Sequence, residues 1–204
     1  MTGGPVSLAG ASDELPEYKR ARRSQIVNAA LAALKEHDYE QIQMRDVAER
    51  ADVALGTLYR YFGSKEHVYA AVLAEWAQPV FVADDSDSRP AVQRLRAKVR
   101  AIVTSFEKRP GFFKVCLLLQ NSTDPAAAQM MDEFAEVATR TLAHDFSALG
   151  EQEAHDAAVM LWGIINTVLS AAILRGHPMA HAYRISEAFV DLVAPRFPDD
   201  QRGR

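Results

Sequence analysis

Apolar residues recur at steps of three and four along almost the whole chain, and no stretch sustains the period-two alternation of a half-buried strand. The chain must therefore bury its surface by packing helices. In the first run, Ile26, Val27, Ala30, Leu31 and Leu34 form the stripe of an amphipathic helix from Tyr18 to about His37. Two short helical pieces follow, Met44 to Ala51 and Leu55 to Tyr61, separated only by Asp52-Val53-Ala54. Two short helices around a tight turn are a supersecondary unit in themselves. Ser64 is placed to cap the next helix, whose residues Val68, Ala71, Val72, Leu73 and Trp76 carry it to about Ala83.

Beyond Asp84 to Pro90 every segment again reads as helix. Val92, Leu95, Val99, Ile102, Val103 and Phe106 share one side, and Arg94, Arg96, Lys98 and Arg100 are expected to form a solvated face. Pro110-Gly111 is read as a separator before the apolar run Phe112 to Leu119. Helices are expected from about Pro125 to Leu149, Glu151 to Leu174 and Ala180 to Val193. The organisation expected is a disordered arm over 1–17, a helix-turn-helix domain over 18–64, a connecting helix over 65–84 and a helical body over 85–204. The fold class is all-α.

The formal charge of -4 over 204 residues excludes a protein that is basic throughout, so binding to nucleic acid requires a local basic segment. Residues 18–65 supply it, with nine Lys/Arg against six Asp/Glu. The single cysteine, Cys116, forbids an intrachain disulfide, and it reads as a small buried hydrophobe. No signal peptide and no apolar run of about 18 residues is read, so a cytoplasmic protein without a membrane partner is expected.

A helix-turn-helix inserts the first half of its second helix into the major groove, about 12 Å wide, while flanking groups hold phosphates. In Leu55-Gly56-Thr57-Leu58-Tyr59-Arg60-Tyr61-Phe62, Leu58 and Phe62 face inward, which leaves Thr57, Tyr59, Arg60 and Tyr61 more outward. Hydroxyls on Thr57, Tyr59 and Tyr61 suit bases or phosphates, and Gly56 lets the backbone approach closely. Lys65 stands in the first turn of the following helix, where the macrodipole disfavours a cation; a phosphate would explain it, and so would neutralisation by Glu66.

The segment Ile26 to Leu73, with Met44-Arg45-Asp46-Val47-Ala48, Gly56-Thr57-Leu58-Tyr59-Arg60-Tyr61-Phe62 and Ser64-Lys65, resembles the TetR family. The resemblance covers about fifty residues. It implies an all-helical regulator whose last two long helices make a homodimer, with double-stranded operator DNA and a small apolar effector as partners. Carried over by motif position, it implies DNA contacts from Arg45, Thr57, Tyr59, Tyr61 and Lys65, with Lys19, Arg20, Arg22 and Arg23 nearby; Gly56 joins the candidate DNA-binding residues through its own close backbone approach. The chain departs from the family pattern twice. Gln43 replaces a Thr or Ser cap, a weak cap that Asp46 is expected to assist, and Asp52 replaces a turn glycine, a position that Asp tolerates better than most residues. More narrowly, Gln43-Met44-Arg45 and Ala51 to Phe62 are similar to the repressors of sterol catabolism, which implies a steroid or acyl-CoA effector. The alternative is an efflux-type regulator that senses varied aromatic or cationic compounds.

The body holds a surplus of large apolar side chains. Phe106, Phe113, Cys116, Met130, Phe134, Trp162 and Asn166 are the candidate effector-lining residues, and Gln120, Asn121 and Thr167 are further polar groups beside apolar sequence. Asn166 reads equally as a satisfied core or interface amide. An enzyme reading finds little support. Adjacent helical residues point about 100° apart, so neither His144-Asp145 nor His155-Asp156 can act alone as a dyad, and no nucleophile elbow, phosphate loop or metal-ligand spacing is present. No catalytic residue, metal or cofactor is expected.

Overall fold

The computed structural model describes residues 16–81 and 87–197, and among these every regular element is helical. Most of the arm expected over 1–17 lies outside the described residues. The chain divides into two compact units, one containing Gly111–Ala135 with the residues up to Gln78, the other containing Pro79–Pro110 with the residues from Glu136 onward.

In the first unit, α1 (Glu17–Glu36) starts after Pro16, whose carbonyl accepts from the amides of Lys19 at 2.8 Å and Arg20 at 3.1 Å. Its Ile26, Val27 and Ala30 are fully buried. After a single 3-10 turn, Tyr39–Gln41, α2 (Met44–Arg50) buries Met44, Val47 and Ala48, and α3 (Leu55–Tyr61) buries Leu58. The turn between them has a physical cause. Asp52 stands at φ 50, the only non-glycine residue with positive φ among those described. The amide of Val53 returns to the Ala48 carbonyl and that of Asp52 to the Glu49 carbonyl, both at 3.0 Å, the paired bonds of a helix stop with a left-handed residue. Gln43 makes no side-chain cap bond on α2, so the expected cap is absent.

Ser64 does cap α4 (Lys65–Phe81): its Oγ accepts from the amide of His67 at 2.9 Å. Residues 111–135, expected in the C-terminal body, cluster with this first unit. Two side-chain contacts lie within this grouping. Trp76 packs on Phe112 with ring centroids 4.7 Å apart, and Asp124 accepts a hydrogen bond from the Ser64 side chain. Pro110 begins α6 (Pro110–Leu119) rather than separating two segments, since proline fits the first helical turn, where no intrahelical donor is needed. Asp124 then caps α7 (Pro125–Asp145), accepting from the Ala127 amide at 2.8 Å.

The second unit packs α5 (Ala91–Lys108) and α8 (Glu151–Arg175) with α9 (Met179–Val193). Val92, Leu95, Val99, Ile102, Val103 and Phe106 are buried as the periodicity requires. The charged face of α5 is not merely solvated. Arg96 pairs with Asp191 at 2.6 Å, Arg100 pairs with Glu187, and Arg94 and Lys98 both pair with Asp145, which is 2% exposed.

Helix α8 also corrects the expectation of no long apolar run. It contains an 18-residue window of mean hydropathy 2.0, enough in length and composition to cross a membrane, because Asn166, Thr167 and Ser170 interrupt the run without adding charge. A core helix of a bundle meets the same criterion, and Ala154, Ala157, Ala158, Leu161, Ile165 and Leu169 of α8 are buried within the subunit.

Candidate nucleic-acid interface

Burial of Leu58 and Phe62, both 0% exposed, fixes which face α3 presents, since residues four apart lie on one side of a helix. Gly56, Tyr59 and Arg60 are exposed, and Thr57 and Tyr61 are half-buried. Tyr59 stands out at 44% exposure, unusual for an aromatic ring. A Cβ added at Gly56 meets nothing within 4 Å, so no internal packing demands this glycine. Arg45 is exposed in the first turn of α2. Arg60, outward in the sequence reading but left out of its contact set, joins this surface.

The flanking cations divide into two kinds. Lys19 is half-buried on α1. Arg22 donates from Nη1 to the Asp52 carbonyl at 3.2 Å, tying α1 to the turn between α2 and α3. Arg23 sits over the Phe62 ring, 5.1 Å from its centroid, and pairs with Glu75 at 3.6 Å. Burial lowers its pKa, and Glu75 opposes that. The Arg23 side chain is 17% exposed, so it braces the exit of α3 from inside.

Lys65, expected to meet a phosphate, donates to the Ile42 carbonyl at 2.7 Å and to the Tyr39 carbonyl, with its ammonium 4.2 Å from the Tyr39 ring centroid. Its pKa is lowered by burial and raised by Glu40 and Glu66. Two of its three protons therefore hold the loop that leads into α2. Nothing in the sequence announces this role for Tyr39 and Ile42, because they lie over twenty residues away and act through backbone oxygens.

The candidate effector-lining residues fall in both units. Phe113, Cys116 and Phe134 are buried in the first, where Met130 is half-buried. Phe106 is buried in the second, with Trp162 and Asn166 half-buried. Phe81 packs edge-on against Trp162, centroids 5.7 Å apart. Burial pushes the Cys116 thiol up to about 12, against the Gln120 side chain, so it is inert as a nucleophile. The polar side chains beside the apolar sequence each turn back on their own helix. Asn166 donates to the Trp162 carbonyl at 2.9 Å, Thr167 to that of Gly163 at 2.9 Å, and Asn121 to that of Leu117 at 3.0 Å.

Residues 26–72 match the family described as bacterial regulatory proteins, tetR family. The chain is 33% identical over 139 residues to the HTH-type transcriptional repressor KstR of Rhodococcus jostii, an alignment covering 68% of this chain and 66% of that protein. The chain thus spans just under two thirds of this relative's length. Among solved structures, a TetR transcriptional regulator from Rhodococcus sp. RHA1 superposes with a TM-score of 0.71 at 22% identity, over 87% of this chain and 97% of that one. Thermus thermophilus FadR, described as a TetR-family repressor in complex with lauroyl-CoA, superposes at 0.64 with 17% identity, over 82% and 92%. Sequence and fold agree, and the chain belongs to the TetR family of bacterial regulatory proteins.

Proposed function

We propose that this protein is a cytoplasmic transcriptional repressor that binds a palindromic operator as a homodimer and is released by a small apolar effector, a steroid or an acyl-CoA metabolite. The outward face of α3 carries this reading: Thr57, Tyr59, Arg60 and Tyr61 are presented by a helix whose Leu58 and Phe62 are locked in the core. Arg45, Gly56, Thr57, Tyr59 and Tyr61 contact DNA, Lys19 and Arg22 flank it, and Arg23 and Lys65 hold the geometry. Two copies of one recognition helix related by a two-fold axis need matching half-sites about one helical turn apart.

The homodimer pairs the outer faces of α8 and α9. Val159, Met160 and Leu174 on α8, and Ile185 and Leu192 on α9, are large apolar residues left exposed. Gly163, on the same side of α8 as Met160, has open space where a Cβ would stand, which permits close helix approach. The effector reading rests on the likeness to KstR and on the lauroyl-CoA named with FadR, with the buried aromatic residues of each unit as candidate contacts. An effector that prefers the DNA-free conformation about 100-fold supplies about 2.7 kcal/mol of coupling.

Selection from random duplex DNA tests the reading. An enriched inverted repeat, bound by wild type and lost in Tyr59→Ala, is expected. No enrichment with folded protein overturns it. Fluorescence anisotropy with lauroyl-CoA and a steroid then reads the effector, and sedimentation of Met160→Glu reads the dimer.

A further inference from the structure

The second unit contains a cleft of about 290 Å³ beside α5 and the last turn of α7. Its ionisable lining is Asp87, Arg89, Arg94, Lys98, His144 and Asp145. Asp145 is 2% exposed, whereas the Arg94 and Lys98 side chains are 23% and 15% exposed. A buried carboxylate needs one compensating cation, and here two are half-buried against it. Arg94 donates from Nε to Asp145 Oδ1 at 3.1 Å and from Nη1 to the Arg89 carbonyl at 2.8 Å. Lys98 donates to Asp145 Oδ2 and to the Thr141 carbonyl at 3.3 Å. Among the described residues, Nη2 of Arg94 and one ammonium proton of Lys98 are left over. Asp87 is matched by Arg89, at 2.6 Å. The first turn of α5 carries no acidic residue, so its positive end adds to the surplus.

We propose that this cleft binds a phosphate group, free or as a phosphomonoester, through Arg94 and Lys98. Among the described residues the lining carries one net positive charge, and this charge, held in a partly desolvated recess with two spare donors, matches an anion that accepts from both at once. The volume lies at the low end for ligand sites, so it suits a phosphate and its immediate substituents rather than a whole apolar metabolite. Asp145 has a second consequence: it aims the two cations and also opposes the anion, so its charge sets the affinity. The assignment goes beyond the regulator reading, since the residues proposed to face the operator lie on α1 to α4 and that reading stands whether or not the cleft is filled.

Calorimetric titration of the full chain with inorganic phosphate, in buffers matched to constant ionic strength with chloride, tests the site. Saturable binding is expected, weakened at least tenfold in Lys98→Gln and strengthened several-fold in Asp145→Asn, which removes the opposing carboxylate. A merely structural ion triad gives no such strengthening. The same titration with lauroyl-CoA and with lauric acid separates a phosphate on a larger molecule from free phosphate: lauroyl-CoA binding more tightly than phosphate, with the same dependence on Lys98, assigns the phosphomonoester, and equal or absent binding assigns the free ion. Absence of saturable phosphate binding to wild type overturns the proposal, as does binding that Lys98→Gln leaves unchanged while Arg60→Ala abolishes it, because that binding belongs to the α3 face.

Discussion

The ammonium of Lys65 lies 2.7 Å from the carbonyl oxygen of Ile42, so the first residue of α4 fastens the loop that enters α2. This bond sets the helix-turn-helix from behind. Lys65→Ala is expected to cost about 1–2 kcal/mol of stability, the range of a charged hydrogen bond with some solvent access. Operator affinity should fall with it, yet the slope of log affinity against log salt should change by well under one, whereas a lost phosphate contact removes about 0.9. Arg60→Ala is the contrast, with an expected slope change of about one. Anisotropy across a salt series checks both.

Asp52 occupies the left-handed region that ends α2. Asp52→Val places a β-branched residue there and should destabilise the fold by about 1–2 kcal/mol, while Asp52→Gly keeps the turn. Urea denaturation reads the difference. An unchanged midpoint in Asp52→Val would contradict this account of the turn.

His67 ties the end of α3 to the start of α4, its Nδ1 accepting from the Gly63 amide at 3.4 Å and its ring packing edge-on against Phe62. Burial lowers its pKa below the ordinary imidazole value, helped by Arg23 and opposed by Asp124. The neutral ring is the native form, so its contribution is complete above about pH 6.5 and is lost as pH falls through the lowered native value. Wild type should lose stability between pH 7 and pH 5 by more than His67→Gln, whose amide oxygen accepts the same bond without titrating. Denaturation midpoints at several pH values provide the comparison.

Leu58 and Tyr59 are neighbours with opposite duties. Leu58→Ala, at a fully buried position, should cost about 2–5 kcal/mol and lower operator affinity through the fold. Tyr59→Ala, at an exposed one, should change stability by less than about 0.5 kcal/mol and still lower operator affinity at least tenfold. Equal effects of both on stability would remove Tyr59 from the DNA face.

What the sequence determined by itself is what neighbours along the chain decide. The three-and-four spacing from Ile26 to Leu34 made α1, the pair Leu58 and Phe62 oriented α3, Ser64 capped α4, and Asp52 marked a left-handed turn, all through interactions within about five residues. Tertiary structure decided where long side chains spend their charges. Lys65 reaches carbonyls more than twenty residues away, Arg96 reaches Asp191, and Arg94 and Lys98 converge on Asp145, because packing alone brings those partners within hydrogen-bond distance. It also decided which side of α8 is core, since apolar letters crowd most of that helix and periodicity leaves the inward face open until α5 and α9 pack against it.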